Sequence, residues 1–264
     1  MLPPVCCAIT ALKVACRMTD DGFLDGRLQI LQPADGYRAA TDPVFLAAAM
    51  RAKAGERVLE LGCGAGVALA CLLHRVPVHA TGLELQQEYA DLARQNMARN
   101  GLDAEIVQGD LADMPASLRS RSFDHVMMNP PFYESLRHSA PENAGKSTAF
   151  LEGDVALETW ISMGLKRLKP LGWLTIIHRA ERLGEMLSGL EKAGDIHILP
   201  LSARNGRPAR RVIVQARKGA FGPLVLRAPL VLHEGDSHRA DGDDFSKTAR
   251  EILRDGNALV ISGR

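Results

Sequence analysis

From Arg57 onward, short apolar segments alternate with segments whose apolar residues follow helical spacing. The segments 57–61 and 78–85 are predicted as buried strands, and the segments 66–75 and 86–101 as helices. This alternation is typical of a parallel sheet whose strands are joined by crossover helices. The sequence therefore predicts an α/β fold.

The end of the chain departs from this alternation. Further strands are predicted at 104–108, 123–129 and 172–178, and further helices at about 155–169 and 181–194. The last two strand segments, 196–201 and 210–217, follow one another without a helix between them. We therefore expect them to pair antiparallel, so that a mostly parallel sheet ends in a C-terminal antiparallel hairpin.

The composition excludes several classes of protein. With 46% hydrophobic residues, the 264-residue chain can form a core and is not mostly disordered. Lys and Arg number 32 and Asp and Glu 31, so binding to a polyanion would need a local basic patch. No segment has the roughly 18 uninterrupted apolar residues of a membrane-spanning helix. The five cysteines include no CxxC pair, which argues against a zinc site and favours a reducing, cytoplasmic compartment.

The N-terminus has a character of its own. Residues 1–17 are apolar but lack the charged leading segment of a signal peptide, and Lys13 interrupts their apolar run. Met18 then opens a polar segment that resembles an ordinary protein start. We interpret residues 1–17 as an extension without a structural role, with weak secretory targeting as the alternative. Residues 18–54 are interpreted as an N-terminal strand and helix segment, and residues 55–264 as the main domain.

A glycine-rich loop follows the first predicted strand of the main domain. It contains Glu60, Gly62, Gly64 and Gly66 in an ExGxGxG pattern and leads into a helix. Such glycines let a backbone approach a ligand closely, although a tight turn alone would also explain them. A dinucleotide-binding loop would need glycine or alanine at Val67. The pattern instead resembles the S-adenosylmethionine (SAM) loop of class I methyltransferases, in which Glu60 would lie near the ammonium group of SAM.

Acidic residues also follow the next two predicted strands. Glu84 ends the second strand about 20 residues after the loop, where a carboxylate would accept hydrogen bonds from both ribose hydroxyls. Asp110 follows the third strand and would accept from the adenine amino group. Each acid alone would more often be a surface residue or a helix cap. Together with the loop they predict a SAM site, to which the adjacent Leu85 and Leu111 are also assigned.

Thr41 and Asp42 precede an apolar helix upstream of this loop. Asp42 is predicted as the N-cap of that helix, with Pro43 at its first position. The same pair resembles a TD motif that precedes the SAM loop in some nucleic-acid methyltransferases. Thr41 and Asp42 are therefore also candidate cofactor-binding residues.

The fourth strand ends in Asn129, Pro130, Pro131 and Phe132, at the sheet edge where open α/β proteins place ligands. A rigid loop would be the simplest explanation. However, proline fixes its own φ and restricts the residue before it, so two acceptors are held in place: the Asn129 side-chain oxygen and the Pro130 carbonyl. They can accept hydrogen bonds from the two N–H groups of a planar amino group, which directs the lone pair of its nitrogen at the SAM methyl. Phe132 and Tyr133 are predicted to stack on the target base.

This tetrapeptide resembles the NPP-aromatic signature of enzymes that methylate adenine N6, guanine N2 or a glutamine amide. In that comparison Asn129 would contact both the acceptor and SAM, and the four residues 129–132 are the candidate catalytic residues. A methyltransferase-like protein that binds RNA without catalysis is the remaining alternative. The segment before the glycine loop does not resemble the helical domain of release-factor glutamine methyltransferases.

Over about residues 23–255, the chain resembles the tRNA1(Val) (adenine-37-N6)-methyltransferase family. The resemblance rests on TDPVFLA, ELGCGAG, NPPFY and the segment HRAERLGEML at 178–187. It implies a class I SAM-methyltransferase (Rossmann-like) fold with a seven-stranded, mostly parallel sheet. Residues 55–264 would then form a SAM-dependent methyltransferase domain that acts on tRNA.

A cluster of basic residues independently favours RNA as the substrate. The segment 201–219 contains no acidic residue, and its arginines are expected near the substrate edge of the sheet. Contacts from such a cluster to phosphates would provide affinity without sequence readout, although a solvated basic hairpin is the simpler alternative. The candidate RNA-binding residues are Arg204, Arg207, Arg210 and Arg211.

Overall fold

The computed structural model describes residues 17–36, 38–131, 155–235, 237 and 244–261. The predicted base-stacking residues Phe132 and Tyr133 lie outside the described residues, as does the N-terminal extension up to residue 16. Among the described helices, none is long and apolar enough to cross a membrane.

The described residues form eleven strands, which are 2 to 12 residues long. They are β1 Met18–Phe23, β2 Leu28–Pro33, β3 Arg57–Leu61, β4 His79–Glu84, β5 Ala104–Gln108, β6 Phe123–Met128, β7 Leu168–Arg179, β8 Ala193–Ser202, β9 Arg211–Lys218, β10 Val225–Leu226 and β11 Leu230–Val231. Strands β1 and β2 form a separate antiparallel hairpin. Within the described residues, the remaining nine strands form one sheet in the order β10-β8-β9-β7-β6-β3-β4-β5, with β11 also pairing with β8.

The helices connect the strands and cover the sheet. They are α1 Asp42–Ala49, α2 Val67–Arg75, α3 Gln87–Arg99, α4 Ala116–Arg119, α5 Leu157–Arg167, α6 Leu183–Gly189 and α7 Lys247–Asp255. A short 3₁₀ turn, Ala180–Arg182, leads into α6. The predicted helix at 181–194 is therefore shorter than expected. Gly189 packs so closely on Ile161 of α5 that a side chain there would collide, and residues 193–194 pair with β9 instead of continuing the helix.

The strand pairing confirms the predicted sheet. Strands β3, β4, β5, β6 and β7 pair parallel, and β9 pairs antiparallel with both β7 and β8. Because β9 lies between them, β8 runs in the same direction as β7. The loop from β8 to β9 consequently lies at the edge where the parallel strands end. Strands β10 and β11 are two short additions that the sequence did not predict.

The hydrophobic core has two parts, one on each face of the sheet. Leu174 and Ile176 of β7 belong to one cluster, whereas Ile177 belongs to the other, and all three are fully buried. Met127 and Met128 of β6 divide between the clusters in the same way. Both strands are therefore covered on both faces, as is usual for parallel strands between helical layers.

Asn96 of α3 joins three parts of the fold from a fully buried position. Its amide oxygen accepts the Leu31 N–H at 2.9 Å, and its amide nitrogen donates to the carbonyls of Leu31 and Ala65 at 3.0 and 2.9 Å. The side chain thus fixes the β1–β2 hairpin and the glycine-rich loop to α3. Nothing in the sequence distinguishes this asparagine from the neighbouring Asn100.

We predict that Asn96→Ala lowers the free energy of unfolding by about 1–3 kcal/mol, because buried backbone groups lose their partners. Asn100→Ala is the matched control. Its amide also makes three hydrogen bonds, two at 2.9 Å with the Gln29 backbone and one to the Asn96 carbonyl at 2.8 Å, but Asn100 is only half-buried and water can replace them. Denaturant unfolding should show the larger loss for Asn96→Ala. Equal losses would mean that burial does not decide the contribution.

Candidate active site

Four parallel strands bring the predicted cofactor and acceptor residues to one edge of the sheet. The glycine-rich loop follows β3, Glu84 is the last residue of β4, Asp110 follows β5, and Asn129 follows β6. Since these strands run parallel and are neighbours in the sheet, their carboxyl ends form one continuous edge.

The glycine-rich loop has backbone conformations and contacts that require glycine. Gly62, Gly64 and Gly66 have φ values of +68°, +53° and +84°, which L residues rarely adopt. A Cβ atom at Gly62 would lie 2.6 Å from the Trp160 ring, and one at Gly66 would lie 2.7 Å from the Met97 methyl group. Gly62 and Gly64 remain partly exposed. The loop therefore offers bare backbone to a ligand on one side while packing tightly on the other.

Glu84 is a buried carboxylate held by the backbone. One oxygen accepts the Gly64 N–H at 2.8 Å and the other accepts the Gln86 N–H at 3.0 Å. Burial raises the pKa of Glu84, whereas these N–H groups act to lower it. A surface cleft is lined by residues 85–88, which directly follow Glu84 in the chain. Glu84 is thus fixed in place with acceptor capacity left for a ligand.

Glu60 is buried more deeply, with 3% of its surface exposed. Its Oε2 atom has no hydrogen-bond partner among the described residues. Burial raises the pKa of Glu60 well above its usual range, and the nearby Glu84 charge adds to the rise. A buried carboxyl oxygen without a partner is costly unless a donor or a positive charge approaches it. This carboxyl group fits a cationic ligand group at the loop.

These observations together fit SAM. The glycine-rich loop would receive the methionine part of SAM, Glu60 would bind its ammonium group, and Glu84 would bind its ribose hydroxyls.

Asp110 is exposed after β5, and its carboxylate accepts a hydrogen bond from the Ala112 N–H at 2.7 Å, which fixes the carboxylate in the turn. Leu111 is buried in the core, whereas Leu85 is 38% exposed beside the cleft. Among the described residues, no group of three or more His, Cys, Asp or Glu side chains could hold a metal ion.

Asp42 has a different contact from the one predicted. The helix α1 begins at Asp42 itself, Thr41 occupies the N-cap position without a side-chain cap bond, and Pro43 is the second helical residue. The prediction that Asp42 caps the helix was wrong. Its carboxylate accepts a hydrogen bond from Arg211 Nε at 2.8 Å, because a charged guanidinium is a stronger partner than a helix N–H group. This ion pair links α1 to the start of β9.

The acceptor segment begins directly after β6. Asn129 is half-buried, Pro130 is buried and Pro131 is exposed. The preceding residue, Met128, pairs with Ile176 of β7 and is fully buried. The two predicted acceptors, at Asn129 and Pro130, therefore lie at the end of a rigid strand in the middle of the sheet.

Two residues at this edge were not predicted as part of the site. Trp160 of α5 packs over Gly62, and no sequence signal indicates it. His178 lies at the end of β7 and begins the segment 178–187, which contributes to the family resemblance but was not assigned a role. It is fully buried, and its Nδ1 atom accepts the Arg179 N–H at 2.8 Å. Burial and the charge of Arg182 lower the pKa of His178 to about 4, so the imidazole is neutral at physiological pH.

The predicted RNA-binding arginines divide into two pairs. Arg204 forms an ion pair with Asp244 and bonds to the Gly235 carbonyl at 3.2 Å, and Arg211 is paired with Asp42. Arg207 and Arg210 are exposed on the loop between β8 and β9. The exposed pair lies at the carboxyl edge of the sheet, as expected for residues that contact a substrate.

We predict that Glu60→Gln stabilises the ligand-free protein at pH 8 by about 1–3 kcal/mol, because a neutral amide replaces a carboxyl group whose charged form is disfavoured by burial. The raised pKa means that Glu60 destabilises the fold progressively as the pH rises above the range in which an unfolded glutamate ionises. The advantage of the variant should therefore disappear near pH 4. Thermal unfolding at several pH values measures this difference, and a variant no more stable than the parent at pH 8 would contradict it.

The chain resembles known methyltransferases in sequence. Residues 40–149 match the family model of the methyltransferase small domain. The tRNA1(Val) (adenine(37)-N6)-methyltransferase of Yersinia enterocolitica is 26% identical over 227 residues, which cover 82% of this chain and 89% of that protein. The ribosomal RNA small subunit methyltransferase C of Stutzerimonas stutzeri is 34% identical, but over only 32% of this chain and 25% of that protein.

Solved structures show the same fold. A predicted O-methyltransferase from Agrobacterium tumefaciens has a TM-score of 0.67 and 26% identity, and the match covers 83% of this chain and 98% of that one. The tRNA (m1A58) methyltransferase of Aquifex aeolicus, with a TM-score of 0.51 and 15% identity, shares the fold. The chain is a SAM-dependent methyltransferase with the class I fold, and its residues 40–149 match the methyltransferase small domain.

Proposed function

We propose that this enzyme methylates the exocyclic N6 atom of an adenine in tRNA, the anticodon-loop adenine of valine tRNA being the first candidate. The observation that carries the proposal is the placement of Asn129 and Pro130 directly after β6, at the edge that holds Glu60 and Glu84. The similarity to the Yersinia protein, which spans most of both chains, supports tRNA as the substrate. A tRNA substrate also supports a cytoplasmic location.

The chemistry follows from what these residues can hold. The Asn129 side-chain oxygen and the Pro130 carbonyl oxygen accept hydrogen bonds from the two N–H groups of the adenine amino group. Bound SAM supplies an electrophilic methyl group on a sulfonium. The two acceptors would direct the nitrogen lone pair toward that methyl, so that an N–C bond would form as the S–C bond breaks and S-adenosylhomocysteine would leave. The methylated nitrogen then releases a proton to water, and no strong base is needed. Phe132 and Tyr133 are proposed to stack on the base.

Methylation of a guanine N2 in ribosomal RNA is the second candidate, and the match to the ribosomal RNA enzymes favours it. A glutamine amide in a release factor is the third. The purified enzyme is incubated with labelled SAM and each substrate in turn, and the modified nucleosides or peptides are identified by mass spectrometry. We expect N6-methyladenosine in tRNA. Label in guanine or in a release factor would contradict the proposal and identify the corresponding alternative substrate. Absence of label from all three substrates would show that the enzyme does not methylate any of them.

We predict that Asn129→Ala lowers kcat by about 10²-fold or more, the loss typical of removing one preorganised polar contact at a reacting centre. The affinity for SAM should change little, because Asn129 mainly serves the acceptor. Asn257→Ala is the control, since Asn257 is exposed in the segment that follows α7. Steady-state methylation of tRNA and calorimetric SAM titration separate the two effects. Parent-like turnover by Asn129→Ala would overturn the two-acceptor mechanism.

A second prediction concerns RNA affinity. Replacing both Arg207 and Arg210 with alanine should weaken tRNA binding and reduce the slope of log K against log salt by about 1–2, because up to two phosphate contacts are lost. The control is the double variant Lys53→Ala and Arg119→Ala, which removes the same charge from exposed positions at the opposite edge of the sheet. SAM affinity should stay unchanged in both. Equal salt slopes for the two double variants would show that Arg207 and Arg210 do not contact RNA.

A further inference from the structure

We propose that His178 is a positioning residue of the methyl-transfer site, which donates a hydrogen bond to the Pro131 carbonyl and so holds the segment of Asn129 and Pro130. The proposal rests on the proposed role of that segment in binding an amino group. His178 is the first residue of the segment 178–187. No residue of this segment is assigned to the SAM site, so the proposal gives His178 a role of its own.

The sheet register places His178 beside the acceptor segment. Met128 of β6 pairs with Ile176 of β7 in the parallel register, so two residues further on each strand Pro130 comes alongside His178. On its other side, His178 pairs with Val212 of β9. His178 is therefore held between the exit of β6 and the start of β9. Its position follows from strand pairing and does not depend on a flexible loop.

The hydrogen bonds of the ring define its tautomer. The Arg179 N–H donates to Nδ1 at 2.8 Å, so the proton of the neutral ring is on Nε2. The Pro131 backbone also lies close enough to the ring to act on the pKa of His178. In the proposal the Pro131 carbonyl oxygen, which is the only polar backbone group of a proline, accepts from Nε2. The ring thus connects the backbone at the end of β7 to the backbone of the acceptor segment.

The surroundings keep this ring neutral. Arg182 of the 3₁₀ turn and Arg211 of β9 both act on His178 with positive charge. Arg182 forms an ion pair with Glu185 of α6, and Arg211 forms one with Asp42 of α1. Arg182 lowers the pKa of Glu185, and His178 adds to that effect. Full burial and the two guanidinium groups oppose protonation. A ring that is neutral and already protonated on Nε2 can donate a hydrogen bond at any physiological pH, but it cannot take a proton from the substrate.

The test compares His178→Gln, which keeps an N–H donor on a side chain of similar length, with His178→Leu, which has none. We expect kcat for tRNA methylation to fall about 10-fold or more in His178→Leu and to stay within about threefold of the parent in His178→Gln. SAM affinity should be close to the parent value in both variants. The kcat–pH profile of the parent should show no ionisation near pH 6.5.

His125→Leu is the matched control, because His125 is also buried but lies near the start of β6, where it bonds to Glu56 at 2.9 Å. This variant should lose thermal stability without losing kcat per folded molecule. Parent-like kcat in His178→Leu, or equal loss in His178→Leu and His178→Gln, would overturn the proposal. A rising pH limb that His178→Gln abolishes would instead identify a general base.

A second measurement does not depend on the variants folding. Imidazole ¹⁵N NMR of the parent protein should show His178 as the neutral Nε2–H tautomer from pH 8 down to pH 5.5. A ring protonated at pH 7, or one carrying its proton on Nδ1, would refute the contact to Pro131. If the parent does not methylate tRNA, the proposed substrate fails, while the tautomer still tests whether His178 can donate a hydrogen bond to the acceptor segment.

Discussion

The hydrogen bond from the Gly64 N–H to the Glu84 carboxylate is the interaction on which the site most depends. It fastens the glycine-rich loop after β3 to the end of β4, so that two separate strand ends become one surface. Asn96 holds the same loop from the opposite side through the Ala65 carbonyl. Because both contacts are buried or nearly so, the loop keeps its left-handed glycine conformations before any ligand arrives, which lowers the cost of ordering it on binding.

The acceptor half of the site depends on contacts between residues far apart in sequence. Arg211 at the start of β9 is paired with Asp42 at the start of α1, and the same guanidinium faces His178 at the end of β7. The acceptor segment after β6 borders this group. Arg211, one of the candidate RNA-binding residues, is therefore joined to the segment that precedes the glycine-rich loop.

Sequence reasoning predicted the parts of the site that lie at strand ends. Once a parallel sheet is predicted, the carboxyl ends of neighbouring strands must meet, and this brings Glu84 and Asn129 to one edge. Contacts between side chains that are distant in sequence could not be predicted in this way. Trp160 over Gly62, the buried amide of Asn96 and the ion pair of Asp42, whose partner is 169 residues away, follow no local pattern. The roles of Phe132 and Tyr133 stay predictions.

Calorimetric titration of SAM into the parent protein and into Glu84→Gln tests the central claim most directly, that this carboxylate builds the cofactor site. We expect one SAM to bind per chain, and the Glu84→Gln variant to bind at least about 10-fold more weakly, since a hydrogen bond to a charged group contributes at least about 1.4 kcal/mol. The variant should remain folded. A folded Glu84→Gln protein with parent affinity, or a parent that does not bind SAM, would contradict the account.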